Sequence, residues 1–360
     1  MKTYLNLNLL KWGMASDLQI VQRIKPRHIE KNEINSFDPY FSDVENIRCS
    51  KSLRRLAYKT QVFTQPNNSH VRTRLVHTMD VVSVGLTIAR KFNLLNNETF
   101  KINEKLVEAI ALGHDVGHTP FGHRGEEVLS NFSEGFRHER NSVVMLELIE
   151  RQGRGLGLTK ETLLGIMRHS KGKGTLESSK DHLPEHTIAM YSDKIAYLFA
   201  DLMDAQRYKF LDKPPEEALK LGLTQREQTK KCIESLLKES LEKGYISFND
   251  SEEAILFNKI KLFMYENVYS KKDSILINHM LEGVCEFFAK ELPKHDTVLL
   301  ASMLTDSEVM RISELLIART WDMNQTVFNQ SFIGISEIIP YTEGFKVDYK
   351  KINEDWINSL

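Results

Sequence analysis

The chain has 360 residues with 48 Lys+Arg against 49 Asp+Glu, a net charge of −1, so no global basic field points to a nucleic-acid coat. Hydrophobic residues make up 41% and charged residues 27%, with nine prolines and 18 glycines, which excludes disorder as the main state. Three scattered cysteines, Cys49, Cys232 and Cys285, exclude a disulfide framework or a cysteine zinc site and suit a reducing compartment.

Residues 1–17, MKTYLNLNLLKWGMASD, hold only a short apolar stretch broken by Asn6, Asn8 and Lys11. With no signal-peptide core and no run of about 18 apolar residues anywhere, a soluble cytoplasmic protein without a membrane partner is expected. Next, after the turn-forming QPNNS (65–69), RTRLVHTMDVV (72–82) spaces Leu75, Met79 and Val82 as a helix does. A break at 94–97 precedes EKLVEAIAL (104–112), which places Leu106 and Ile110 on one face. Glycine- and proline-bearing breaks follow at 117–122 and 153–157, on either side of the helical run NSVVMLELI (141–149). SKGKGTLESSKD (170–181), with Lys171, Lys173 and Lys180, reads as a solvated basic loop, with a phosphate-touching lid as the alternative. Residues 188–203 and 254–268 return to helical period, separated by the break DKPPEE (212–217); the best alternating, β-type run is 333–339.

An all-α protein follows, with a core over 1–210 that includes an N-terminal extension. Additional C-terminal helices over 211–360 pack on that core, with DKPPEE at the seam. No internal repeat is visible.

GHDVGHTPFGHRGEE (113–127) concentrates His114, Asp115, His118, His123, Glu126 and Glu127 at a helix end. Neighbours on a regular helix diverge by about 100°, so His114 and Asp115 can reach one ion only where the helix ends or is crossed by others, and Gly117 and Pro120 supply an ending. His77 sits on the helix before. In SDKIAYLFAD (192–201), Asp193, Tyr197 and Asp201 recur at i, i+4 and i+8, so they share a face. His77, His114, Asp115 and Asp193 thus form a set of two imidazoles and two carboxylates, which suits Mn²⁺, Fe²⁺, Co²⁺ or Zn²⁺ better than an all-oxygen calcium site. Such a cation neutralises phosphate charge and acidifies water, as phosphoester hydrolysis requires.

The pattern H…HD…D carried by His77, His114–Asp115 and Asp193 resembles the HD phosphohydrolase superfamily. A finer resemblance, to dGTPase-like deoxynucleoside triphosphate triphosphohydrolases, rests on four stretches. These are SLRRLAYKTQVF (52–63), RTRLVH (72–77), EAIALGHDVGHTPFGHRGEE (108–127) and SDKIAYLFAD (192–201), and a weaker likeness continues through FNKIKLFMYENVY (257–269). The resemblance implies an HD-domain helical core and hydrolysis of a dNTP to deoxynucleoside and inorganic triphosphate. It implies a divalent ion, Mn²⁺, Mg²⁺, Fe²⁺, Co²⁺ or Zn²⁺, on His77, His114, Asp115 and Asp193, and a homo-oligomer. By motif position, His123 is implied as the acid that protonates the leaving 5′-oxygen, tuned by Glu126. Arg74, Lys194 and His118 are implied to face the phosphates, and Gln61, Tyr197 and Asp201 to surround the deoxyribose. His138 falls where the family has a His–Asn element, with Glu139 in place of the Asn. A Gly-Met-Thr-Asp type element is replaced by ARTWDMNQTVF (318–328), which bears on base preference and on activation by a second nucleotide.

Two rival readings follow from the same residues. One is an HD-type phosphodiesterase or nucleotidase for another phosphoester, with His118 and His123 recruited to a second ion. The other is a nucleotide- or single-stranded nucleic-acid-binding protein with a vestigial site, which the net charge does not favour.

Overall fold

The computed structural model describes residues 38–63, 70–95, 100–170, 182–271, 274–318 and 342–360. The N-terminal segment, QPNNS, residues 96–97 of the 94–97 break, the loop lysines, the β-type run at 333–339 and all of ARTWDMNQTVF but Ala318 lie outside them.

Among the described residues the fold is all-α, with one isolated antiparallel bridge, Thr60 to Thr73. The helices that open the described chain are α1 (Pro39–Arg48), α2 (Lys51–Arg55), α3 (Arg74–Leu94) and α4 (Glu104–Gly113). Three that follow are α5 (His123–Phe132), α6 (His138–Val144) and α7 (Lys160–Arg168). The long α8 (Pro184–Arg207) leads to α9 (Glu216–Leu221), α10 (Gln225–Lys243) and α11 (Glu252–Asn267). Closing the described chain are α12 (Ser274–Glu291), α13 (Thr297–Met303), α14 (Asp306–Ile317) and α15 (Glu354–Ser359).

Side chains set the helix starts. Thr73 accepts from Val76 N at the head of α3, and Asn103 accepts from Lys105 N and Leu106 N at the head of α4. Proline opens α8, where its missing N–H costs nothing.

Helix α8 lies against both α3 and α4. Close approach is possible because Gly85 of α3 has no side chain: a Cβ there would meet Val107 Cγ1 at 2.9 Å and Ser192 Oγ at 3.2 Å. One apolar cluster joins Val44 and Ile47 of α1, Ile110 of α4 and Ile166 of α7 to Phe288 of α12, Leu299 of α13 and Ile357 of α15. A second joins Ile88 and Phe92 of α3 and Phe199 of α8 to Leu236 of α10 and Phe257 of α11. Residues from both sides of position 211 therefore contribute to each.

Two expectations are corrected in detail. Residues 141–149 do not form one α-helix: α6 ends at Val144 and widens into a π-turn over Met145–Ile149. The chain returning through 155–158 uses that widened turn, with Leu156 N donating to Leu146 O and Leu158 N to the Glu147 carboxylate. The break placed at 212–217 ends two residues early, because Glu216 already begins α9 behind Pro215.

Candidate metal centre

His77 projects from the first turn of α3, His114 caps the C-terminus of α4, and Asp193 lies in the middle of α8. The packing of these three helices brings one ligand atom from each within 4.8 Å of the others, and all three side chains are buried. His77 Nε2 lies 3.1 Å from Asp193 Oδ1, and His114 Nε2 lies 3.9 Å from the same oxygen. Asp115 borders this trio, its Oδ2 3.6 Å from His114 Nε2 and held by Arg74 Nη1 at 2.5 Å.

The donor set fits a divalent cation. His114 Nδ1 donates to Ala111 O at 2.7 Å, which leaves Nε2 with its lone pair turned to the trio. That Nε2 is buried and has no hydrogen-bond partner, an unusual state for a buried polar atom. The carboxylates are ready as ligands. Burial would raise Asp115, but Arg74 and the neighbouring imidazoles hold it well below the usual range; burial is likewise outweighed at Asp193 by Lys194 and His77.

Adjacent residues reach one centre because the chain leaves α4 at Gly113 and turns tightly against α6. A Cβ on Gly117 would come within 2.1 Å of Ser142 N, so only glycine fits. Ser142 Oγ accepts from Gly117 N and donates to His114 O, both at 2.9 Å, tying the loop down.

A file of imidazoles leads from the trio to solvent. Ring centroids are 5.5 Å apart for His77–His114, 5.0 Å for His114–His169 and 5.2 Å for His169–His138. The file continues at 4.6 Å for His138–His118 and 5.3 Å for His118–His123. His123 stands at the mouth, its side chain 75% exposed, with Nδ1 3.2 Å from Glu126 Oε2. Glu126 Oε1 accepts from both the backbone N and Nδ1 of His138, at 2.9 and 3.0 Å. Burial lowers the His138 pKa, but Glu126 and Glu139 outweigh it and push it up to about 9. A protonated His138 donates through Nε2 to His169 Nε2 at 3.2 Å, while His169 Nδ1 donates to Ile166 O. His118 is the contrasting member. Burial, then Arg74 and His138, hold its pKa well below the ordinary value, and neither ring nitrogen has a partner.

On the α8 side, Lys194 Nζ pairs with Asp193 Oδ2 at 2.9 Å and sits 5.6 Å above the Tyr197 ring. Asp201 Oδ2 accepts from Tyr269 OH at 2.9 Å. Gln61 Oε1 and Arg74 Nε are buried without partners, and a Cβ on Gly122 would lie 3.1 Å from Arg74 Nη2 and 3.3 Å from Gln61 O. Among the described residues, the metal, catalytic and substrate-contact candidates singled out from sequence thus fall in or around two groups, the trio with its histidine file and the α8 face. Three participants went unread. His169 is a lone histidine at the end of α7. Lys261 is half-buried on α11, its pKa lowered by burial and by the charge of Lys194. Tyr269 lies just past α11. The stretch 257–269 was the only signal for the last two.

Comparisons with known proteins agree with this geometry. The HD domain family model matches residues 74–198, the span from Arg74 to just past Tyr197. A deoxyguanosinetriphosphate triphosphohydrolase-like protein of Clostridium tetani is 40% identical over 261 residues, covering 70% of this chain and 72% of the relative. Proteins of the same description from Caldanaerobacter subterraneus and Clostridium perfringens are 36% and 34% identical. They cover 76% and 82% of this chain and 78% and 86% of their own lengths.

Proposed function

The chain belongs to the HD-domain family of deoxyguanosinetriphosphate triphosphohydrolase-like proteins, and on that premise we propose that it hydrolyses deoxynucleoside triphosphates to deoxynucleoside and inorganic triphosphate. The observation that carries this reading is the convergence of His77, His114 and Asp193 from three helices around an unpartnered His114 Nε2. With Asp115 beside them, these residues would hold a divalent ion, which supplies charge neutralisation at phosphate and a more acidic water.

The protein's own groups do the rest. Arg74 Nε and the neutral, unpartnered His118 ring offer N–H donors to phosphate oxygens, and Lys194 and Lys261 add positive charge along the same wall. His123, oriented by the Glu126 carboxylate, gives a proton to the departing 5′-oxygen in this reading, which its hydrogen bond to Glu126 supports. Tyr197, kept a neutral phenol by burial, packs where the sugar would lie one turn from Asp193. Gln61 Oε1 is free to accept from a 3′-hydroxyl, and Tyr269 holds Asp201 in place for the same partner. We also infer that the chain assembles as a homo-oligomer, which light scattering tests; a single-chain mass at working concentration counts against it.

Product analysis after incubation with Mn²⁺ and either dGTP or GTP tests the reaction. Intact triphosphate is expected, with dGTP favoured over GTP by at least about 10²-fold, because Tyr197 packed beneath the sugar leaves no room for a 2′-hydroxyl. Pyrophosphate plus dGMP, or equal rates on the two nucleotides, rejects the reading. The His123→Ala variant is expected to keep its ion and lose about 10²–10⁴ in turnover. Asp193→Ala is expected to lose both, as metal analysis beside the assay will show.

A further inference from the structure

The loop from Gly117 to Gly122 carries His118 and delivers the chain to His123, and its backbone is not one that a free loop would choose. Phe121 has φ 57° and Gly122 has φ 64°, so two consecutive residues lie in the left-handed region, one of them bearing a bulky side chain. Something outside the loop has to over-determine that conformation. The structure provides it from the distant end of the chain. Asp306, the first residue of α14, is buried, and its Oδ1 accepts from Phe121 N at 2.9 Å. Its Oδ2 accepts from Thr60 N at 3.0 Å and from the Thr60 hydroxyl. Lys59, equally buried, donates from Nζ to His118 O at 2.5 Å and to Ser302 O at 2.7 Å. Asn141 completes the frame, donating from Nδ2 to Gly117 O and to Ser302 Oγ. The loop is held at its start, middle and end, at Gly117, His118 and Phe121, by groups that all lead to the α13–α14 junction.

We propose that Asp306 is a positioning residue which, with Lys59, clamps the 117–122 loop so that His118 faces the phosphate wall and α5 begins with His123 at the mouth of the site. Neither residue touches the reacting atoms. The proposal rests on the triphosphohydrolase reading for its effect on turnover, but the clamp itself is read independently. A carboxylate is needed at 306 because three donors converge on two oxygens. An asparagine amide would set N–H against N–H at either Phe121 or Thr60.

The test uses the full chain with Asp306→Asn, followed by hydrogen exchange, Mn²⁺ uptake and dGTP turnover. Exchange in peptides spanning 117–122 is expected to rise at least about 10-fold while peptides from α8 are unchanged. Mn²⁺ uptake per chain is expected to match the wild type, and kcat to fall at least about 10-fold with KM changed less than about threefold, the split that a misplaced acid produces. Should Asp306→Asn fail to fold, Lys59→Met carries the same test, since it removes the clamp at His118 and leaves the Asp306 contacts intact. Unaltered exchange over 117–122 overturns the clamp; a loosened loop with wild-type kcat overturns its positioning role. If the wild type itself does not hydrolyse dGTP, the reaction reading fails and exchange alone decides the clamp.

Discussion

Glu147 hangs from the π-turn that follows α6, with Leu158 N donating to its carboxylate and Asp43 nearby. Burial is the main cause that pushes its pKa from 4.5 up to about 7, with Asp43 adding to it against the Leu158 hydrogen bond. An acid whose folded pKa exceeds its unfolded one binds its proton more tightly when folded. The contribution of Glu147 to stability is therefore largest below pH 4.5, falls as pH rises to about 7, and stays at the lower level above. Glu147→Gln keeps the acceptor and removes the charge. It is expected to raise stability by roughly 1–3 kcal/mol at pH 8 and to leave it nearly unchanged at pH 4, a difference thermal melts at the two pH values will show. The same scale explains what the residues announced. His114 and Asp115 stood out because a dense acidic and imidazole cluster after an apolar helix has few packing explanations, and His77 and Asp193 because the pattern H…HD…D reaches them. His169 was not, because one histidine after an amphipathic helix reads as an ordinary terminus until the fold sets its ring 5.0 Å from that of His114.

Helix spacing decides whether the ligands meet. Gly85 lets α3 settle on α4 and α8, two turns after His77 and beside the residue preceding Asp193. Gly85→Leu has no room for its side chain, so it is expected to wedge α3 from α8, lowering Tm and Mn²⁺ affinity together; differential scanning fluorimetry with and without Mn²⁺ measures both. Loss of stability with undiminished ion affinity would show that the two helices can separate without opening the centre. Apolar period located α4, most of α8 and α11 because each buries a continuous stripe. It missed the π-turn after α6, since a five-residue widening hardly disturbs a pattern of apolar positions. The turn goes with a tertiary partner, the return of the chain through 155–158.

At the scale of the molecule, the last described helix belongs to the main core. Tyr349, Ile352 and Ile357 are buried in the cluster that holds Val44 and Ile110, and Tyr349 OH donates to Asn141 Oδ1 at 2.8 Å. Tyr349→Phe leaves that buried acceptor unpaired, for an expected loss of about 1–3 kcal/mol in chemical denaturation. A chain ending at residue 341 loses the cluster's edge and is expected to unfold well below the wild-type midpoint; an unchanged midpoint would mean that the core closes without it. That C-terminal helices pack on the core was expected from the sequence, but which of them closes it was not legible, because an apolar period says which face is buried and not which distant helix covers it. The consequence is one of timing. At roughly 5–20 residues per second, a ribosome that has made Asp193, the last of the ligands, needs about 8–33 s more to add Ile357. Throughout that interval the nascent chain carries its ion ligands without the edge of the core that encloses them. Its apolar faces stay open to chaperones, and the cluster is complete only when synthesis has passed residue 357.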